Sequence, residues 1–274
     1  MPIAVSLETG THELLAEVRD RVAVITLNRP QARNSLSDNL TPALRTLIQR
    51  LGEDDTVDAV LITGTGTAFC SGGDVKGMGS GRPGPAKSVT ERVADLKDKQ
   101  RRLTGALMSI GKPTIAALPG VAAGAGLSIA LACDLRIAAR SAFISTGYAR
   151  VGLSGDYGIS WLLTQLVGTA RARELMFTSD KVDAARCMEL GLFNRLADDE
   201  RLAQQAFEWA ALLAAGPPVA LRLIKENLND ALHMGFLESL DKEAERISLA
   251  SASEDHKEAV RAFIEKRPPR FDGR

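Results

Sequence analysis

The sequence predicts an α/β fold over residues 1–200 and a helical region over residues 201–274, and three observations carry that reading. Short β-branched and apolar runs at 59–63, 114–118 and 135–139 have the length and composition of buried strands. The stretches that join them are too long for hairpins and contain helices, which calls for largely parallel strands. In the last third the apolar residues recur at helical spacing between glycine and proline breaks.

Residues 14–18 and 21–27 alternate apolar and polar side chains around Asp20, predicting a two-stranded hairpin that ends at Asn28-Arg29-Pro30. Asp38 is placed to cap a helix with Leu40, Leu44, Leu47, Ile48 and Leu51 on one face, stopped by Gly52. After the strand at 59–63, Gly64-Thr65-Gly66 turns the chain into a short apolar run at 68–70. Ser71-Gly72-Gly73-Asp74 then forms a tight loop with little side-chain bulk. Five of the seven residues from Gly79 to Pro85 are glycine or proline, which reads as a mobile loop over a site. A helix is expected from Gln100 to Ile110.

The strand Thr114–Leu118 is bounded by Pro113 and Pro119, and Ala122 to Gly126 has no side chain larger than a methyl. Leu127 to Cys133, apolar except for Ser128, reads as a buried helix before the strand Leu135–Ala139. Further on, Asp183 caps a helix ending at Gly191. Leu202, Ala206, Trp209 and Leu213 form a stripe closed by Gly216-Pro217-Pro218, and Leu221, Ile224 and Leu228 begin another helix. Ser253 caps the final helix, which Lys266-Arg267 ends before Pro268.

Lys plus Arg equals Asp plus Glu at 34 each with no basic block, which argues against an extended nucleic-acid surface. Cys70, Cys133 and Cys187 are widely spaced and each lies in or beside an apolar segment, as reduced thiols of a cytoplasmic compartment do. No basic, apolar-cored leader and no membrane-length run is read, so membrane attachment is not expected. His12, His233 and His256 lie far apart, so neither a metal cluster nor a Ser-His-Asp triad is assembled.

Chemistry is expected where two small-residue loops meet. Gly124-Ala125-Gly126 opens a helix whose first N–H groups lack intrahelical partners. It starts like a dinucleotide fingerprint, but Ile129 stands at the third glycine position and no acidic residue follows at the ribose distance. Close helix–sheet packing is the competing reading of such a stretch. The second loop, Ser71 to Asp74, decides for function. Two N–H donors aimed at one point stabilise an oxyanion, including the enolate of a thioester.

Asn28-Arg29-Pro30, Arg33-Asn34-Ser35-Leu36, Ala68 to Lys76, Lys112-Pro113, Gly120 to Gly126, Cys133-Asp134 and Gly191-Leu192 with Asn194 resemble the enoyl-CoA hydratase/isomerase family, the crotonases. The likeness runs from about Leu14 to Pro268-Pro269-Arg270-Phe271. It implies a crotonase-like spiral of ββα turns, a C-terminal helical region that makes homotrimers or dimers of trimers, and an acyl-CoA thioester substrate with no metal or redox cofactor. The family's thioester oxygen is held by one N–H from each loop, at positions matching Gly73 and Ala125. Its two hydratase glutamates fall at Ser128 and, anchored on Val151-Gly152, at Tyr148, so both carboxylates are missing here.

Asp156 resembles the aspartate of branches that isomerise unsaturated acyl-CoAs or make and break rings, whereas locally it reads as a helix N-cap. Ser128 and Tyr148 are left to orient substrate or water, or to satisfy buried hydrogen bonds. Arg33, Ser71, Asp74, Val75 and Lys76 fall on the coenzyme side of the matched motifs, Asp74 with a loop-holding role. Phe263 and Lys266 match residues that reach the coenzyme of a neighbouring subunit. Enoyl-CoA isomerisation is the favoured reaction; hydration and non-catalytic acyl-CoA binding stay open.

Overall fold

The computed structural model describes residues 4–74 and 87–274. Along the chain lie β1 (Val5–Ser6), β2 (Leu14–Arg19), β3 (Val22–Leu27), α1 (Leu40–Glu53), β4 (Ala59–Gly64), β5 (Ala68–Cys70), α2 (Val89–Gln100), α3 (Ala106–Ser109), β6 (Thr114–Leu118), β7 (Val121–Ala123) and α4 (Ala125–Ala132). There follow β8 (Leu135–Ala139), β9 (Phe143–Ser145), α5 (Ile159–Thr178), β10 (Val182–Asp183), α6 (Ala184–Glu189), β11 (Arg195–Ala197), α7 (Leu202–Ala214), α8 (Pro218–Asp230), α9 (Phe236–Ala252) and α10 (Glu254–Glu265).

The strands form a seven-stranded sheet in the order β1-β2-β3-β4-β6-β8-β11 and a four-stranded sheet in the order β10-β9-β7-β5. From β3 onward the large sheet is parallel, as are β5, β7 and β9 in the small one. One pattern repeats three times: a large-sheet strand, a short link (residues 65–67, 119–120 and 140–142), a small-sheet strand, then helix. The links are short because the two strands of each turn belong to different sheets and need not pair with each other. This is the crotonase-like spiral of ββα turns that the resemblance implied, with helices at the C-terminus.

The expected hairpin turns at Asp20 and Arg21, both in the left-handed region (φ 50° and 60°), a two-residue connection that matches strand twist. In α1 the predicted stripe is buried, each residue at 2% exposure or less. Its cap differs: Ser37, not Asp38, accepts the Leu40 N–H at 2.9 Å. Gly52 does not stop the helix, which runs to Glu53; the Lys112 ammonium donates to the Leu51 and Asp54 carbonyls, both at 2.6 Å. The helix expected from Gln100 already starts at Val89, behind a Ser88–Glu91 capping box, and passes through a π-helical turn at Arg101–Gly105. Val121–Ala123, read from sequence as part of the glycine turn, is strand β7.

α4 is buried on every side, as an all-apolar helix requires. Its close approach rests on Gly126, where a Cβ would lie 2.3 Å from the Cys70 carbonyl oxygen. α7 lies across β3, β4, β6 and β8 of the large sheet, with Leu202, Ala206 and Trp209 inward. The caps expected of Asp183 and Ser253 form, accepting from the Arg186 and His256 N–H groups. The C-terminal residues fold back, so that the Asp272 and Gly273 N–H groups donate to Asp255 at the start of α10. No single helix among the described residues is long and apolar enough to cross a membrane.

A buried polar knot fastens α8 to this core. Asp134 Oδ2 accepts from Thr114 N (2.7 Å), Thr114 Oγ1 (2.9 Å) and Lys225 Nζ (2.8 Å). Lys225 also donates to the Leu107 and Lys112 carbonyls. Lys225→Met strands three acceptors in a largely dry setting and should cost about 2–4 kcal/mol, measured by urea unfolding. Lys242→Met, which removes an exposed ion pair within α9, should cost under about 0.5 kcal/mol. Equal losses would show that the knot contributes no more than a surface pair.

Candidate active site

The predicted residues gather at the C-terminal ends of β5, β7 and β9. These strands run side by side, Ala68 against Val121 and Ala122 against Ile144, so the segments leaving them emerge as neighbours. They are Ser71-Gly72-Gly73-Asp74, Gly124-Ala125 and Tyr148, joined by Asp156 just before α5.

The first two segments approach so closely that glycine is required. Gly72 has φ 91°, and a Cβ there would meet the Ala123 carbonyl oxygen at 2.8 Å and the Ala125 nitrogen at 3.5 Å. Gly124 takes the positive φ of the turn (52°), so Ala125 enters the helix with ordinary backbone geometry and its methyl is no obstacle. Leu36 N donates to Gly72 O at 2.8 Å and Ser71 N to Arg33 O at 3.0 Å, so two neighbouring backbone groups hold the first loop from outside. Among the described residues neither the Gly73 nor the Ala125 N–H is taken up by another protein group.

Asn34 and Arg29 fix this frame, and the sequence reading assigned neither a role. Fully buried Asn34 donates to the Thr65 and Ala68 carbonyls at 3.0 and 2.8 Å and accepts the Arg29 N–H at 2.8 Å. The Arg29 guanidinium donates to Ser35 O and pairs with Asp74 at 3.3 Å. Asp74 is therefore tied to the Asn28-Arg29-Pro30 turn by an ion pair. The cue was a polar pair flanking a turn within Asn28-Arg29-Pro30 and Arg33-Asn34, visible as residues but mute about partners 31 and 45 positions away.

Asp156 is not a helix cap. Gly158 occupies that place in α5, without a side-chain cap, and the Asp156 carboxylate accepts instead from the Tyr148 hydroxyl at 2.7 Å. Burial pushes the Asp156 carboxyl above the ordinary aspartate range, and the Tyr148 hydrogen bond partly offsets it. Burial, reinforced by the Asp156 charge, raises the Tyr148 phenol far above neutral pH, so it remains a donor. Ser128 sits beneath the pair, fully buried, its hydroxyl directed at the Asp156 carbonyl (3.2 Å) and the Gly124 carbonyl (3.4 Å). It joins the first turn of α4 to the Asp156 loop. The Cys70 thiol behind the loop is pushed up to about 12 by burial, which removes it as a nucleophile.

Other predicted residues lie apart. The Arg33 side chain is exposed, and its backbone is left-handed at φ 50°. Val75, Lys76 and the loop from Gly79 to Pro85 lie outside the described residues. Phe263 (86% exposed) and Lys266 end α10, and no hydrogen bond or ion pair ties their side chains to the Gly73–Asp156 cluster among the described residues.

Chemically, the cluster offers two closely approaching loop backbones and one carboxylate of raised pKa, hydrogen-bonded by a phenol. The family model described as enoyl-CoA hydratase/isomerase matches residues 17–274. A 1,2-epoxyphenylacetyl-CoA isomerase of Escherichia coli is 37% identical over 95% of this chain and 98% of its own length. A short-chain-enoyl-CoA hydratase of Clostridium acetobutylicum is 32% identical over 93% and 96%. The crystal structure of an enoyl-CoA hydratase from Bacillus anthracis superposes with a TM-score of 0.89 at 29% identity, covering 96% of this chain and all of that one.

The hydrogen bond from Tyr148 lowers the Asp156 pKa against the rise caused by burial, so Tyr148→Phe should raise that pKa further. Carbon-13 titration of the carboxyl groups reads this directly. An unchanged or lower value would mean that the phenol does not hold the carboxylate in solution.

Proposed function

Because the chain belongs to the enoyl-CoA hydratase/isomerase family, we propose that it is an acyl-CoA enzyme holding a thioester enolate between the Gly73 and Ala125 N–H groups and moving a proton with Asp156. What supports this most is the Asp156 carboxylate, desolvated and bound by Tyr148, in the same cluster as two N–H groups that no other protein group uses among the described residues. Charge that develops on the thioester oxygen would gain hydrogen bonds already oriented for it.

The favoured reaction is movement of an enoyl-CoA double bond. Asp156 takes a proton from the carbon beside the thioester, the electron pair delocalises onto the oxygen and along the chain, and the same carboxyl returns the proton two carbons further out. The net change is a shifted double bond, with no metal or redox cofactor required. One base suffices, whereas the hydratase scheme uses two carboxylates, and Ser128 and Tyr148 stand at those places. A second reading is hydration, with Asp156 as base and the Tyr148 hydroxyl orienting water; the persistent phenol donor at Asp156 favours it. In isotopic water an isomerase exchanges a carbon-bound proton, a hydratase adds solvent oxygen, and a non-catalytic binder does neither.

For the coenzyme, Arg33, Lys76 and Lys266 would supply positive charge by residue type, the Ser71–Asp74 backbone would line the thioester end, and Phe263 would offer an aromatic face. Phe263 and Lys266 would serve a neighbouring subunit in a homotrimer or dimer of trimers. The apolar residues Phe236, Leu237, Ile247, Leu249, Phe263 and Ile264, each more than 60% exposed in the single chain, support residues 201–274 as the oligomerisation region.

Asp156→Asn retains size and the bond to Tyr148 but removes the base. It should lower kcat by at least ~100-fold while leaving CoA affinity nearly unchanged. Near wild-type turnover in the folded variant would remove Asp156 from the chemistry. Gly73→Pro deletes one donor and should cost about 100- to 1000-fold in kcat, with folding checked by circular dichroism. Full activity in a folded Gly73→Pro protein would rule out that N–H as an oxyanion ligand.

A further inference from the structure

Arg45 is a buried charge that the proposed chemistry leaves unused. It lies on the inner side of α1 beside Leu44 and Ile48, 9% exposed, and its Nη1 has no hydrogen-bond partner. No ion pair among the described residues includes it. The stretch from Val75 to Ala86, outside the described residues, contains no aspartate or glutamate that would neutralise it. A guanidinium remains ionised at any ordinary pH. Burying one without a counter-charge is unfavourable, so its retention calls for a partner.

The surroundings of Arg45 connect it to the acyl site. The guanidinium faces the side chain of Tyr157, the residue immediately after Asp156. The Tyr157 N–H in turn donates to Gln100 Oε1 at 3.1 Å. α1 packs on the π-helical turn Arg101–Gly105, and that turn packs on α4, so a continuous wall leads from Arg45 to Ala125. Arg45 is absent from the groups that act on Asp156, whose carboxyl responds to burial and to Tyr148. Among the described residues Arg45 forms no ion pair with Asp156, so it is not the counter-ion of the candidate base.

We propose that Arg45 marks the distal end of the acyl site and binds a carboxylate there, so that the substrate is the CoA thioester of a dicarboxylic acid. The inference rests on the acyl-CoA reading above. A planar guanidinium fits a carboxylate with paired N–H donors, and the Tyr157 hydroxyl beside it offers a further donor to the same group. A plain hydrocarbon tail would leave the buried charge unmatched.

The test compares a six-carbon enoyl-CoA with its ω-carboxyl counterpart as substrates, and the two saturated analogues by calorimetry, on wild-type enzyme, Arg45→Met and Arg45→Lys. Wild type should favour the carboxyl-ended member by about 10- to 100-fold in both Kd and kcat/KM, the usual worth of a charge-assisted hydrogen bond. In Arg45→Met that ratio should fall to near one, and Arg45→Lys should keep part of it. A wild-type ratio near one, or a ratio unchanged in Arg45→Met, overturns the proposal. Should Arg45→Met not fold, the two wild-type dissociation constants decide alone. Tighter binding of the carboxyl-ended analogue without turnover of either thioester would sink the enoyl-CoA reaction and leave the role of Arg45 standing. Turnover of both with no preference would do the reverse.

Discussion

The close approach of two backbone segments at the ends of β5 and β7 is the constraint on which the site depends. A Cβ on Gly72 would lie 2.8 Å from the Ala123 carbonyl, and one on Gly126 would lie 2.3 Å from that of Cys70. Glycine at these two positions lets parallel neighbours end together, and two N–H groups are thereby placed side by side at no further cost. Gly124 absorbs the reversed backbone twist, which is why an alanine is tolerated at position 125. Small-residue packing and the proposed catalytic role, which compete as readings of the sequence, are compatible in this arrangement.

Buried charge is handled differently from place to place. Asp74 is matched by Arg29 and Asp134 by Lys225, and both pairs fasten loops or helices to the sheets. Asp156 is given one neutral donor, Tyr148, and burial holds its pKa up. Arg45 faces a neutral phenol and keeps an unpartnered nitrogen. Buried Arg136 and Asp255, by contrast, are satisfied by backbone groups alone, Arg136 by the Leu192 and Cys133 carbonyls and Asp255 by the N–H groups of the returning C-terminus. Groups poised for a ligand show the imbalance left at Asp156 and Arg45, because the ligand completes them.

The helices after residue 201 divide by what they bury. α7 covers the large sheet, and Lys225 anchors α8 through Asp134. α9 and α10 keep much of their apolar surface outward; Arg246 fastens α9 to Asn227 and Asp230 of α8, while Asp255 and Glu258 fasten α10 to the returning C-terminus. Such a layer is coherent in itself yet incompletely covered, which suits association of copies of the chain.

The sequence by itself determined the strands β2 to β6 and β8, the two glycine loops, the helical end and, through its ordered motifs, the family. Those features depend on local periodicity, turn chemistry and residue order, all of which are written along the chain. It did not determine β7, because three small residues between a proline-glycine break and a glycine turn carry no strand pattern of their own; pairing with β5 and β9 makes them a strand. Nor did it separate the two readings of Asp156. Cap and base share one local sequence, and only the folding of Tyr148 back across eight residues takes the carboxylate from the helix end and ties it to the phenol. Arg45 was equally silent, since its neighbours in sequence are the leucines of an amphipathic helix, whereas Tyr157, which it faces, comes from a segment distant along the chain. Tertiary structure decided these points because burial and charge pairing are properties of what surrounds a residue, and those surroundings exist only once distant segments have packed.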